Sequence, residues 1–470
     1  MKALVNELSP VNSLPPELLS VIPTFWPEGS QRDLIKATHV CRYWRTTLIA
    51  SHDLWNVVKS GDEAQTRAFI QRSKPYPLSM EIKHPGEESV LSDTVLSRLK
   101  SLTLDLPTTN LAKPLRSLVC PTPMLQDLTI TSSDPGSYLP VLNTGDFFSL
   151  TQLHLDGVAA HFTHLPIPNL KALHVKNTGG TPLLRGFLQF LKRTPWLEEL
   201  VLVNTGPEGG DEPLERVVRL RSLRALTLHG TVAKGNLLQY LSVPASADIN
   251  LMGCFNRNLD GFMDQFLPPS LENLPVTSSF TSLTVTSTSR SWCHMGFSSN
   301  EGKLSINIKS EPSRYLQFGN GQLTPPTAGR CLQRLTPLVL DTVTHLTIRR
   351  GPWEPQVFPE PSALREFLHQ LPSLQTIDLV CCHLSSLTAL DPAGVRLPFF
   401  HTLNLYLAPD AVIDLFPLSH LAKSKLSLKC PLEKVKLVFG SPTRFKGSEM
   451  GRLKQHIRVV EVEEVNDRKK

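Results

Sequence analysis

The feature that most constrains this chain is a six-residue phrase, Leu-x-x-Leu-x-Leu, that recurs from about residue 95 onward. Six copies or close variants begin at Leu99, Leu125, Leu150, Leu170, Leu197 and Leu223. Their central leucines follow one another at intervals of 20 to 27 residues. Alternating leucines favour a short strand with one buried face, and this period is typical of stacked repeats. Since a single repeat cannot bury its own apolar face, we expect neighbouring repeats to stack into a solenoid.

After residue 228 the phrase returns with looser spacing. Short strands are predicted at 249–251, 283–285, 346–348, 377–379, 403–405 and 435–437, with a last strand at 457–462 as a cap. Residues 183–193 and 364–371 have the periodicity of helices that connect strands. Between 286 and 330 the chain is rich in Ser, Thr, Gly, Asn and Pro, and 303–309 alternates like a strand. We therefore expect an inserted hairpin there, with a surface loop at 319–329.

The repeats resemble the leucine-rich-repeat family, which implies an α/β fold. We predict an irregular leucine-rich-repeat solenoid over 95–465, with a parallel sheet on its concave side and a tail at 466–470. In each phrase the residue between the last two leucines faces solvent on that side. Such residues suit binding of a protein segment, although Thr and Asn are also ordinary on a solvated strand face. The candidate substrate-binding residues are Thr103, Thr129, His154, His174, Thr227, Asn250, Asp378 and Asn404.

Two of these candidates are histidines in successive repeats. His154 and His174 occupy equivalent positions in strands that would lie about 5 Å apart. Two imidazoles so placed could ligate a metal ion. The next position in the column is Val201, which supplies no third ligand, so we predict no metal site.

The N-terminal region has a different pattern, made of three short pieces. The first is Leu14-Pro15-Pro16-Glu17-Leu18-Leu19, where proline and glutamate favour the first turn of a helix. The second, Val40-Cys41-Arg42-Tyr43-Trp44-Arg45, lies in a stretch whose apolar residues recur at spacings of 3 and 4. That spacing predicts one helical face formed by Leu34, Ala37, Cys41, Trp44 and Leu48. The third piece is Leu54-Trp55.

In this order, over residues 12–58, the three pieces resemble the F-box. In that family a three-helix module binds a Skp-type adaptor, which links it to a cullin-RING ubiquitin ligase. The resemblance implies a role in adaptor binding, or in the core of the module, for Leu14, Pro15, Leu18, Leu19, Val40, Cys41 and Trp44. In residues 69–73 and 75–78 the connection at 59–94 resembles that of F-box proteins of mushroom-forming fungi.

One stretch departs from the F-box pattern. Residues 20–33 form a longer spacer than is usual, and the spacer contains Pro23 and Pro27. Proline interrupts a helix because it lacks a backbone N–H. We therefore expect the first helix to be cut short, with Phe25 and Trp26 displaced.

Composition and missing motifs restrict the remaining function classes. The net charge is +6, from 48 basic and 42 acidic residues that are scattered, which does not support a nucleic-acid partner. No apolar run approaches the roughly 18 residues of a membrane span. The absence of a signal-peptide pattern and of any Cys-x-x-Cys pair among the eight cysteines predicts a reducing compartment, the cytoplasm or the nucleus or both.

No phosphate loop, zinc-protease motif or nucleophile elbow is present, so we predict neither enzymatic activity nor a cofactor. The predicted function is substrate recognition within an SCF-type ubiquitin ligase. The repeats would bind a protein substrate that the sequence does not identify. The alternative is a leucine-rich-repeat scaffold, without a ubiquitin-ligase link, whose N-terminal helices only cap the array.

Overall fold

The computed structural model describes most of the chain. The described residues are 10–26, 31–118, 120–132, 141–142, 147–178, 183–206, 217–230, 237–255, 267–268, 270–289, 292–310, 340–350, 361–407, 412–440, 444–445 and 447–465. The protein is mixed α/β, with helices at the N-terminus followed by mostly parallel strands. Its contacts divide it into two compact units, unit 1 (Met1–Asp211) and unit 2 (Glu212–Lys470).

Unit 1 begins with short helices. They are α1 (Pro16–Val21), α2 (Gln31–Ala37), α3 (Arg42–Ala50) and α4 (Glu63–Arg72), and a 3-10 turn at His52–Trp55 separates the last two. Helix α1 is cut short, as expected, and continues only as a 3-10 turn over Ile22–Phe25. Pro23 cannot donate the hydrogen bond that would extend it.

The single helical face predicted from Leu34 to Leu48 is wrong, because the chain breaks between α2 and α3. The Thr38 hydroxyl donates to the Ile35 carbonyl (2.7 Å), and Arg45 Nε donates to the Thr38 carbonyl (2.9 Å). These side chains donate to carbonyl oxygens that would accept backbone N–H groups in a continuous helix. Cys41 is therefore extended, with φ −154° and ψ 177°, and serves as the N-cap of α3.

The rest of unit 1 is built on a parallel sheet. In sheet order its strands are β1 (Val57–Val58), β2 (Leu78–Ile82), β3 (Leu99–Leu106), β4 (Asp127–Ser132), β6 (Gln152–Asp156), β8 (Ala172–Lys176) and β9 (Glu199–Val203). Short strands β5 (Val141–Leu142) and β7 (Ala159–Ala160) pair separately. Helices α5 (Asp93–Leu96), α6 (Thr108–Ser117) and α7 (Leu184–Arg193) lie in the connections, and α7 confirms the helix predicted at 183–193.

The central leucines of the phrases are paired across this sheet. Leu102 is in register with Leu128, Leu128 with Leu153, Leu153 with Leu173 and Leu173 with Leu200, and all five are fully buried. Strand ends also repeat, since Gly157, Asn177 and Asn204 each have a positive φ directly after a strand. Asn177 Nδ2 donates to Asp156 Oδ1 (2.7 Å) and Asn204 Nδ2 to Asn177 Oδ1 (2.8 Å), so side chains bridge successive turns.

Unit 2 also contains mostly parallel strands. In sheet order its strands are β11 (Ala225–His229), β13 (Asp248–Phe255), β16 (Lys303–Ser310), β15 (Trp292–Ser298), β14 (Ser282–Ser289), β17 (His345–Arg349), β18 (Thr376–Val380), β19 (Thr402–Tyr406), β21 (Lys434–Gly440) and β23 (Val459–Val465). Two short parallel pairs join β10 (Val218–Arg219) to β12 (Leu241–Ser242) and β20 (Val412–Ile413) to β22 (Arg444–Phe445). Its helices include α8 (Pro361–Leu368), which confirms the prediction at 364–371, α9 (Phe416–Ser427) and α10 (Gly447–His456).

The predicted hairpin is present, but it is part of the sheet. Strand β15 pairs antiparallel with both β14 and β16, and β16 pairs parallel with β13. The strand at 283–285 therefore does not follow the strand at 249–251 in the sheet, as the repeat order suggested. Leu283, Phe297 and Leu304 pair in one buried row, so the hairpin continues the core. The predicted loop at 319–329 and the tail at 466–470 lie outside the described residues.

Candidate functional site

Helix α1 has one buried face and one exposed apolar face. Leu19 is fully buried, whereas Leu18 is 54% exposed, Val21 45% and Phe25 81%. The spacing of 3 and 4 residues places the last three on one side, which we call the α1 patch. Val40, in the turn between α2 and α3, is a further exposed apolar residue. Large apolar side chains exposed together commonly mark a binding surface.

The other residues implied in adaptor binding are mainly structural. Trp44 Nε1 donates to Asn12 Oδ1 (3.0 Å), and the Cys41 thiol lies 3.7 Å from the same oxygen. The Tyr43 hydroxyl donates to the Leu14 carbonyl (2.6 Å). These hydrogen bonds join helix α3 to the segment before α1. Of the seven residues, Pro15, Leu18 and Val40 are exposed, Leu14, Cys41 and Trp44 are partly buried, and Leu19 belongs to the core.

Trp55 joins these helices to the unit 1 sheet. Its side chain is fully buried, and its Nε1 donates to the Leu48 carbonyl (2.8 Å). Its ring meets Phe69 edge-on at 4.7 Å between centroids, and the Arg72 guanidinium lies 4.4 Å from its ring centroid. The next residues form β1, the edge strand beside β2.

A buried carboxylate that the sequence did not reveal also holds this junction. Glu87 accepts hydrogen bonds from Ser60 Oγ (2.5 Å), Gly61 N (2.8 Å), Lys83 N (3.2 Å) and His84 N (3.2 Å). It thus ties the chain after β1 to the turn after β2. No local pattern indicates this role, because Ser60 and Gly61 are more than twenty residues away in sequence.

The outward-facing residues between the last two leucines of each phrase form one row across the unit 1 sheet, as the sequence predicted. Thr103, Thr129, His154 and His174 are neighbours in register. The two imidazole centroids are 4.1 Å apart, and His174 Nε2 lies 3.2 Å from Glu199 Oε1. Burial, together with the nearby His174 and Lys176, lowers the pKa of His154. A neutral His154 can therefore accept or donate hydrogen bonds on this face.

In unit 2 the outward column contains hydrogen-bonded networks. Asp378 Oδ2 is 3.0 Å from His345 Nε2, and Asp378 Oδ1 accepts from Asn404 Nδ2 (2.7 Å). Burial opposes ionisation of Asp378, but the bonds from His345 and Asn404 outweigh it and lower its pKa. The bond to Asp378 likewise raises the pKa of His345. The sequence column did not include His345, which lies two residues before Thr347 on the same face.

Asn250 and Thr227 lie elsewhere in unit 2. They are paired in register on β13 and β11. Asn250 Oδ1 accepts from Asn307 Nδ2 (3.0 Å), and Asn307 Oδ1 is 2.7 Å from His294 Nδ1. The inserted hairpin thus contributes Asn307 and His294, which the regular phrase could not indicate. The substrate-binding candidates are therefore in register within three sets of strands, β3 to β8, β11 with β13, and β18 with β19.

Neither a metal centre nor a membrane span emerges from the described part of the chain. No three His, Cys, Asp or Glu side chains there are grouped to hold an ion. No helix among the same residues has both the length and the apolar character needed to cross a membrane. Comparison with known proteins adds no relative, since no protein-family model and no curated protein matches the sequence.

Proposed function

We propose that this protein is a substrate-recognition subunit of an SCF-type cullin-RING ubiquitin ligase. Its N-terminal helices would bind a Skp-type adaptor as an F-box does, and its leucine-rich-repeat solenoid would bind a protein substrate. The protein itself would catalyse no covalent step. It raises the effective concentration of a substrate lysine near a recruited conjugating enzyme. We place this activity in the cytoplasm, the nucleus or both.

The observation that carries the proposal is the exposed α1 patch. The Leu-Pro-x-Glu-Leu-Leu phrase places Leu18 on the outside of α1, and Val21 and Phe25 extend the same side. Burying such a side chain on a partner is worth about 1.5–3 kcal/mol. The buried core of the module includes Leu19, Leu34, Leu48 and Trp55, and the exposed residues of the α1 patch are not part of it.

A specific observation also favours the alternative, a scaffold in which the N-terminal helices cap the sheet. The strand β1, the buried Trp55 and the bond from Gln31 Nε2 to the Val57 carbonyl (2.8 Å) attach these helices to the first edge of the unit 1 sheet. Unpaired strand edges need such protection. This role explains the buried residues of the module but leaves the α1 patch unexplained.

Co-purification with a Skp-type adaptor distinguishes the two. The wild type should retain the adaptor, and Leu18→Glu should weaken retention at least tenfold, because a charge would be buried in the interface. Leu428→Glu is the matched control, since Leu428 is 56% exposed in unit 2, and it should bind like the wild type. Equal binding by the two variants would contradict the proposal. Failure of the folded wild type to bind would favour the scaffold.

A further inference from the structure

One rim of the unit 1 sheet exposes a series of large apolar side chains. They lie in the turns that lead into β4, β6 and β9, where Met124 is 42% exposed, Phe148 56% and Trp196 61%. The turns are linked through hydrogen bonds from Ser149 Oγ to the Pro123 carbonyl (2.5 Å) and from Asn169 Nδ2 to the Phe148 carbonyl (2.7 Å). The turn before β9 is joined by the bond from Glu198 N to the Lys171 carbonyl (2.7 Å). Met124, Phe148 and Trp196, which we call the rim residues, are thus held along the same end of the sheet.

Carboxylates follow two of the rim residues at the same interval. Asp127 comes three residues after Met124, and Glu199 comes three residues after Trp196. Each is the first residue of its strand, and both lie in one outward row through the register Asp127–Gln152–Ala172–Glu199. Three strand spacings separate them, or about 14 Å.

The outward face beyond this row is also rich in carboxylates. Glu81 on β2, Asp105 on β3 and Asp156 on β6 occupy outward positions. Cations on or beside this face include Lys176, beside Asp156 in register, Lys83, 2.6 Å from Glu81, and Lys171, 3.4 Å from Glu198 at the rim. Lys100 is also exposed at the rim, where its carbonyl accepts from Gln126 N (2.8 Å) beside Asp127. The chain as a whole carries a net charge of +6, so an acidic face here does not follow from its composition.

Aromatic rings and carboxylates at the same rim form a surface for cations on long side chains. A guanidinium or ammonium group can lie over an indole ring, and an arginine can pair with a carboxylate at the same time. The hydroxyl and imidazole groups of Thr103, Thr129 and His154 can bond the main chain of an extended segment. Exposed Trp is the residue type that most often dominates such interfaces.

We infer that this rim and the adjoining face of unit 1 bind an extended, arginine- or lysine-rich protein segment. The inference deepens the proposed function by naming the class of substrate, and it rests on that function only in treating the segment as a substrate. Charge complementarity selects this occupant over an acidic or purely apolar one.

The test uses the full-length protein without an adaptor. A fluorescein-labelled peptide in which Arg and Lys alternate with Gly and Ser is titrated by anisotropy, beside a peptide with Glu at the charged positions. The basic peptide should bind more tightly. Trp196→Ala should weaken its binding about fivefold, and Asp127→Asn with Glu199→Gln about tenfold at low salt. Raising the salt concentration should remove the effect of the charge variant.

Unit 2 offers matched controls. Phe399 precedes β19 in an equivalent turn and is 59% exposed, but the residue three positions later is Thr402. Phe399→Ala should therefore bind like the wild type, and so should Asp341→Asn with Glu433→Gln, which removes two exposed carboxylates elsewhere. Equal losses in test and control variants, or equal binding of both peptides, would overturn the inference. Adaptor binding is unaffected by this result, so the two proposals fail separately.

Discussion

Glu87 offers a direct test of how the N-terminal helices are joined to the unit 1 sheet. Its side chain is 9% exposed and accepts four hydrogen bonds from Ser60, Gly61, Lys83 and His84. Three of the four donors are backbone N–H groups, which cannot turn elsewhere without moving the chain. Substitution with alanine removes the acceptor of Gly61 N and His84 N, while Lys83 N keeps its bond to Ser60 Oγ (3.1 Å).

The expected loss follows from the number of donors. A hydrogen bond to a charged group is worth about 1.5–3 kcal/mol. Because Ser60 and the Lys83 region are partly accessible to water, water can replace part of the lost hydrogen bonding. We therefore expect Glu87→Ala to lower the free energy of unfolding of unit 1 by about 3–5 kcal/mol. Loss of amide exchange protection should be largest at Gly61 and His84.

The neighbouring residue provides the control. Glu88 accepts one backbone bond, from Gly86 N (2.6 Å), and lies 3.6 Å from Lys113 Nζ. Glu88→Ala should therefore destabilise by only about 1 kcal/mol. Urea denaturation of both variants, followed by circular dichroism, measures the difference. A Glu87→Ala protein no less stable than Glu88→Ala would refute the reasoning.

Two further predictions concern titration. Burial lowers the pKa of Lys425 from 10.5 to about 8, so the unfolded chain binds more protons between these values and stability should rise with pH. In urea denaturation, the free energy of unfolding of the wild type relative to Lys425→Met should rise by about 2 kcal/mol between about pH 7 and pH 9.5. A difference between the two proteins that does not change with pH would contradict the lowered pKa. By NMR, His345 should titrate above and His154 below the ordinary pKa of 6.5. The stability that protonated His345 contributes should be lost as pH rises through the folded pKa of His345. If the pKa of His345 is the same in Asp378→Asn as in the wild type, the ion pair is not its cause.

The strands and their outward residues were predictable from the sequence. A period of two residues determines which side chains share a face, and equal phrases align when strands lie side by side. Leu102, Leu128 and Leu153 therefore pair in register, and Thr103, Thr129 and His154 form a column beside them. The short α1 was predictable for a similar local reason, since Pro23 lacks the donor that would continue the helix.

The break between α2 and α3 was not predictable from periodicity. Spacings of 3 and 4 residues continue across Cys41, yet the bond from Arg45 to the Thr38 carbonyl competes with the helix there. The roles of the N-terminal residues likewise needed the structure. Leu18 and Leu19 are alike in the sequence, but only packing decides that Leu19 is buried and Leu18 exposed.

The sequence alone determined the strand phrases, the alternation of buried and outward residues, and the resemblance on which the proposed function rests. Tertiary structure decided which strands are neighbours, as when β16 rather than β14 pairs with β13. It also decided the contacts of Glu87 and the alignment of Met124, Phe148 and Trp196 on one rim. The physical reason is the distance along the chain over which each interaction acts. Periodicity and proline act through adjacent residues, whereas strand order, buried carboxylates and shared rims depend on groups brought together from distant parts of the chain.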